Sequence, residues 1–319
     1  MKKIVYIALV VTIFMLLMPL AAFGKATITD NKTNFETVLT DVKEMEQDVF
    51  KVLNKESGEI TDMTAQEYIF GVVAAEMPAL YESEALKAQA VASYTYACYK
   101  RNQNKGKEYH ITTDYTIDQS YKTRENAISD WGNKGKEYEG KIDDVLESVK
   151  GMYLSKDGKP ILAVYHALSS GNTICAEDVW GSEISYLQSV ASPGDKLASN
   201  YVQKTVFSES QIDDKLLKPL GIEIKENIFE EIKKTNNLFV KSVVVCGETV
   251  RGSEIRSALE LASNSFEIEK DGDNYIFTTY GYGHGVGMSQ NGANYMAQQG
   301  YDFKEILNHY YKNCEIVKN

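Results

Sequence analysis

Nucleophilic and metal-binding side chains are scarce in this chain, with only four histidines and four cysteines among 319 residues. The cysteines, Cys98, Cys175, Cys246 and Cys314, lie far apart without a CxxC or CxH pair, so a compact structural zinc site is not indicated. One or two disulfides stay open to them, with no pairing that spacing can decide. There is no GxSxG, no HExxH and no cysteine in a protease context, so the common hydrolase signatures are missing. Phosphate loops are missing too, since neither GxxxxGK[ST] nor a well-placed GxGxxG occurs. Positive charge is short. A net charge of −11 argues against nucleic acid and against a strongly anionic surface, and leaves a glycan or peptide target open.

Long apolar runs number one. Residues 4–23 carry no charge, after Lys2 and Lys3 and before Lys25, which is about the length that crosses a bilayer core. This fits a signal peptide or an uncleaved single anchor with the bulk of the chain outside. Length favours the anchor; Ala21, Ala22 and Gly24 keep cleavage open. Residues 1–24 are therefore expected to be the membrane segment, 25–56 a polar spacer with a short strand near 51–54, and 57–319 one mixed α+β domain without repeats.

Within that domain the most informative residue is Glu76. It lies seven, four and three residues after Ile69, Val72 and Val73 and so shares their apolar helix face, with Met77-Pro78 ending the helix. A carboxylate so placed is either paired or kept able to carry a proton near neutral pH, as a general acid requires. A second helix is expected over 84–99, rich in alanine and capped by Ser83, with Lys87, Val91, Tyr94 and Cys98 along one face. Asp157-Gly158 between apolar runs predicts a hairpin whose second strand reaches His166. Near the C-terminus, Gly281, Gly283, Gly285 and Gly287 alternate around His284, a pattern that lets backbone approach a ligand closely. Ser289 is then the expected cap of a helix over 290–299, and Asp302 to Glu305 a capping box for the last helix. His284, Ser289 and Gln290 are the candidate binding residues of this stretch.

The blocks at 73–78, 84–92, 179–181 and 280–293, in this order and ending in His284-Gly285-Val286-Gly287-Met288-Ser289-Gln290, together resemble the SpoIID/LytB family over about residues 50–319. The resemblance implies a membrane-anchored peptidoglycan lytic transglycosylase of engulfment in an endospore-forming bacterium. Its catalytic domain would lie outside the mother-cell membrane and face the septal space. It implies Glu76 as the acid and base, acting on glycan strands, with Lys87, Tyr186 and Asp195 supporting the glycan or orienting Glu76. It also implies partnership with the amidase SpoIIP and the membrane protein SpoIIM. Two departures stand out. Tyr94 occupies the position of a substrate-contacting arginine, and residues 110–121 have no cysteine where some members bind zinc, so no metal and no other cofactor is expected. The LytB branch keeps a second reading open: a non-catalytic, peptidoglycan-binding activator of amidases.

Overall fold

The first described residues carry an alternation that a spacer would not need: Phe50 and Val52 are fully buried while Lys51 between them is exposed. They belong to strand β1 (Val49–Leu53), which pairs antiparallel with β2 (Ile60–Thr64) and parallel with β3 (Ile111–Thr112). The structure, a computed structural model, describes residues 48–318; the expected membrane segment 1–24 and spacer residues 25–47 lie outside them. Among the described residues no helix is long and apolar enough to cross a membrane. Residues 49–53 of the expected spacer are instead the central strand of a sheet, and their period-two burial fits that place.

Helix α1 (Ala65–Glu76) starts at Thr64, whose hydroxyl accepts the Glu67 N–H at 3.2 Å, and it is buried without a break from Tyr68 to Ala74. Gly71 lets a loop lie on it: a methyl group there would come within 2.3 Å of the Tyr121 ring and 2.5 Å of the Lys122 carbonyl. That loop also carries Ser120. Gly71→Ala is expected to destabilise the protein by about 1–3 kcal/mol through overpacking, measured as a lower denaturant midpoint with unchanged slope; an unchanged midpoint would mean that the loop yields freely.

Helix α2 (Ser83–Gln103) is the central strut, with thirteen residues buried. Its alanines let neighbouring elements approach closely, and Thr95 accepts the Leu154 N–H at 2.9 Å. Around it pack α3 (Arg124–Asp130), α4 (Gly135–Ser148) and the strands β4 (Met152–Lys156) and β5 (Lys159–Pro160). The predicted hairpin turn is there, with positive φ at Asp157 and Gly158, yet its second strand stops at Pro160. Proline lacks the N–H that the ladder needs. Five residues further on, Tyr165–His166 form β6 and find a different partner.

The rest of the chain builds α5 (Ala176–Trp180), β7 (Val202–Ser208), β8 (Phe229–Lys234), β9 (Val240–Val245), β10 (Glu248–Arg251), α6 (Gly252–Leu259), β11 (Phe266–Asp271) and β12 (Asn274–Tyr280). It closes with β13 (Met288–Ser289), α7 (Gln290–Gln298), α8 (Phe303–Tyr310) and β14 (Glu315–Lys318), besides short helical turns. β13 runs parallel to β6, and β14 joins β4. The fold is α+β, as its pattern predicts, and everything from Val49 onward forms one compact unit. It holds two apolar cores. One surrounds α1 and α2; the other lies between the sheets β11-β12-β7 and β10-β9-β8, where Phe207, Phe229, Phe266, Tyr275 and Phe277 interlock.

Candidate active site

Glu76 ends α1 half-buried, and each of its oxygens accepts one hydrogen bond: Oε1 from the Ser120 N–H at 2.9 Å, Oε2 from the Gln290 side-chain amide at 3.0 Å. Among the described residues no Lys or Arg pairs with it. The loop bearing Ser120 is pinned by Asp118, which takes bonds from the Tyr96 hydroxyl and the Thr112 N–H and an ion pair from Lys100 at 2.6 Å. Behind Gln290, buried Gln89 and Ser93 of α2 continue the polar contact towards Tyr165 and Gln119. Burial, and then the charge of Glu76, pushes the Tyr165 phenol well above its usual range, so that hydroxyl keeps its proton as a donor.

The glycine-rich loop does approach backbone closely, but the backbone is its own. All four alternate glycines have positive φ, and a methyl group on Gly287 would lie 2.0 Å from the Val164 carbonyl. The tight fit sets β13 against β6 and so aims α7 at Glu76. Two imidazoles clamp the loop. His166 Nδ1 donates to the Val286 carbonyl at 3.1 Å, and the Val286 N–H donates to His284 Nδ1 at 3.0 Å. Each partner dictates one neutral tautomer. Burial pushes His166 down to about 4 and His284 to about 3, with Arg256 adding to both and His166 adding to His284. Those folded values lie below the unfolded value of about 6.5, so their contribution is whole above about pH 6.5 and drains as pH falls towards 4. Roughly 2–4 kcal/mol of stability should disappear between pH 7 and 5. Unfolding midpoints across that range test this; a flat profile would contradict neutral clamping rings.

Asp195 is fully buried. Its Oδ2 accepts from the Ser169 N–H at 2.9 Å and the Ser169 hydroxyl at 2.5 Å, and its Oδ1 from the Ser289 hydroxyl at 2.8 Å and the Asn291 amide at 3.3 Å. Burial raises its pKa, and the serine bonds oppose that rise. Ser289 in turn caps α7 through the Gly292 N–H. Asp195 thus acts one step behind Gln290.

The other expected site residues stand elsewhere. Lys87 pairs with Glu84 at 2.7 Å and lines an open depression with Glu137, Lys141 and Asp144. It makes no hydrogen bond or ion pair with Glu76, because Gln89 and Ser93 present the opposite side of α2. Tyr94, expected among the substrate contacts, is only 7% exposed and packs edge-on against Phe50; once β1 joins the fold, that side of the helix is core. Tyr186 accepts the Leu162 N–H and lines a separate depression with Lys156 and Glu183. Among the described residues no disulfide forms, and no three His, Cys, Asp or Glu side chains could together hold a metal ion.

A family model described as Stage II sporulation protein, SpoIID, matches residues 53–155. Stage II sporulation protein D of Bacillus amyloliquefaciens is 35% identical over 262 residues, which cover 81% of this chain and 75% of that protein. The chain belongs to the SpoIID family. The Bacillus subtilis (strain 168) stage II sporulation protein D is 36% identical over the same length and the same shares of both chains. The amidase enhancer of that organism is 27% identical over 302 residues, covering 77% of this chain and 40% of the enhancer. In this SpoIID chain the residues that touch Glu76 lie 44 and 214 positions away. Ser120, Gln89, Ser93, Tyr165 and Gln119 escape a reading of the sequence. Ser120 acts through its backbone, which leaves no mark in the side-chain pattern, and Gln89 and Ser93 look like ordinary polar residues of an alanine-rich helix.

Proposed function

We propose that the protein is a peptidoglycan lytic transglycosylase acting on glycan strands freed of stem peptides, in septal wall degradation during sporulation. The observation that supports this best is the setting of Glu76: a half-buried carboxyl at a helix end, each oxygen held by a neutral donor, with no Lys or Arg among the described residues paired to it. As an acid, Glu76 gives its proton to the oxygen that joins C1 of N-acetylmuramic acid to N-acetylglucosamine, and the C1–O bond breaks. As the resulting carboxylate, it takes the proton of the muramyl O6 hydroxyl, whose oxygen bonds to C1. A 1,6-anhydro end forms, Glu76 is protonated again, and no water is consumed. One protein carboxyl suffices because the nucleophile belongs to the substrate, unlike the paired carboxylates of most glycosidases. A membrane-anchored position and partnership with SpoIIP and SpoIIM belong to this reading.

The relationship to an amidase enhancer, together with the placing of Lys87 and Tyr186 away from Glu76, favours a second reading as a glycan-binding activator of amidases. Incubating the full-length protein with stripped glycan strands decides between them. Chromatography of the products should reveal 1,6-anhydro-muramyl ends; amidase stimulation without such ends would carry the second reading instead.

A further inference from the structure

The buried polar residues behind Glu76 form a chain with a direction. Gln290 gives its amide to Glu76 Oε2 at 3.0 Å and also reaches Gln89 Oε1 at 3.5 Å. Gln89 Nε2 donates to Ser93 Oγ at 3.0 Å, Ser93 to the Tyr165 hydroxyl at 3.5 Å, and Tyr165 to Gln119 Oε1 at 2.8 Å. The Gln119 amide ends on the Tyr68 hydroxyl at 3.3 Å. Gln119 precedes Ser120, whose N–H holds the other oxygen of Glu76, so the chain closes on the residue where it began. Gln89, Ser93, Gln119 and Gln290 are each at most 4% exposed. Burying this many polar groups is costly unless every one is satisfied, and an apolar filling would have served packing alone.

The direction is fixed from both ends. A carboxylate only accepts, so Gln290 must turn its NH2 towards Glu76. Its second proton then needs an acceptor, which the oxygen of Gln89 supplies, and each later amide and hydroxyl follows in turn. With Ser120 presenting a backbone donor that cannot be reversed, both oxygens of Glu76 face donors. Neither neighbour offers an acceptor.

We infer that Gln89 is a positioning residue for the acid step: by holding the Gln290 amide with its NH2 on Glu76, it denies the protonated carboxyl any internal acceptor and leaves the proton for the glycosidic oxygen. If Gln290 turned over, its carbonyl oxygen would capture that proton. The inference rests on the transglycosylase reading for its kinetic consequence, but not for its structural one.

The test compares full-length wild-type protein with Gln89→Met, which keeps the length and removes the acceptor, and Gln89→Glu, whose neutral carboxyl restores both the acceptor towards Gln290 and the donor towards Ser93. Ser93→Ala, which breaks the next link, serves if Gln89→Met unfolds. On stripped glycan strands, Gln89→Met should lose about 10–100-fold in kcat with KM changed less than about threefold, the pattern of a group that acts only in the transition state. Gln89→Glu should recover most of that loss as pH falls below about 4.3, where an ordinary glutamate carboxyl is mostly neutral, a rescue that a merely structural defect would not give. Side-chain amide NMR of glutamine-labelled protein supplies a readout independent of activity. The Gln290 amide protons should exchange slowly in wild type and quickly in Gln89→Met. Equal exchange in the two proteins, or unchanged kcat in both Gln89→Met and Ser93→Ala, overturns the inference. Protected amides in a wild-type protein that makes no anhydro ends would uphold the oriented chain and defeat the transglycosylase reading instead.

Discussion

Glu76→Gln is expected to lower the turnover of stripped glycan strands by about 10²–10⁴-fold, the usual contribution of a positioned general acid and base. The loss should fall on kcat rather than on KM, since the amide keeps the size of the carboxyl. The substitution also meets a local conflict. Both oxygens of Glu76 face donors, Ser120 N–H and the Gln290 amide, so a glutamine must turn its own NH2 against one of them. Leaving a buried donor unmatched costs about 1–3 kcal/mol, and the unfolding midpoint should fall accordingly. Glu76→Asp keeps the titrating group but is too short to hold both partners, and should lie between wild type and Glu76→Gln in rate. Rates of anhydro-end formation by the three proteins test the order. A Glu76→Gln turnover within about threefold of wild type would remove Glu76 from the chemistry altogether.

The reach of the sequence ends where a partner has no local signature. Helix α1 with Glu76 at its end, the Ser289 cap of α7 and the capping box from Asp302 to Glu305 all follow from short-range pattern, and the structure places them there. The residues around Glu76 do not follow from it. Gln290 reaches Glu76 because β13 pairs with β6, a parallel contact of two residues in each strand, and so small a ladder has no periodicity to detect. The alternate glycines are visible as a pattern, but their physical meaning, a backbone pressed against Val164 and Leu168, needs the neighbour that only the fold supplies. Tyr94 shows the converse. It stands where the resemblance implies a substrate-contacting arginine, and packing against buried Phe50 of β1 makes that position core.

Asp195→Ala should be the most destabilising substitution in the polar region, by about 3–5 kcal/mol, because it strips the shared acceptor from a group of buried donors. The Ser169 N–H and hydroxyl, the Ser289 hydroxyl and the Asn291 amide all end on this one carboxylate. Two of those donors can adapt, since a hydroxyl can rotate, but the Ser169 N–H cannot. Asp195→Asn keeps an acceptor for Ser169 and gives Asn291 an amide that it can meet by turning over, so it should cost less, about 1–2 kcal/mol. The functional consequence runs through Ser289. Once the carboxylate is gone, the N-cap of α7 loses its outer anchor, and the next residue, Gln290, no longer holds Glu76 at a fixed distance. Asp195→Asn should therefore reduce turnover at temperatures where it is still fully folded, with KM nearly unchanged, as expected of a residue that positions and does not touch the glycan. Denaturant midpoints at pH 7 and the kcat and KM of both variants check the argument. If Asp195→Asn instead raised KM and left kcat intact, Asp195 would have to face the substrate, against its complete burial.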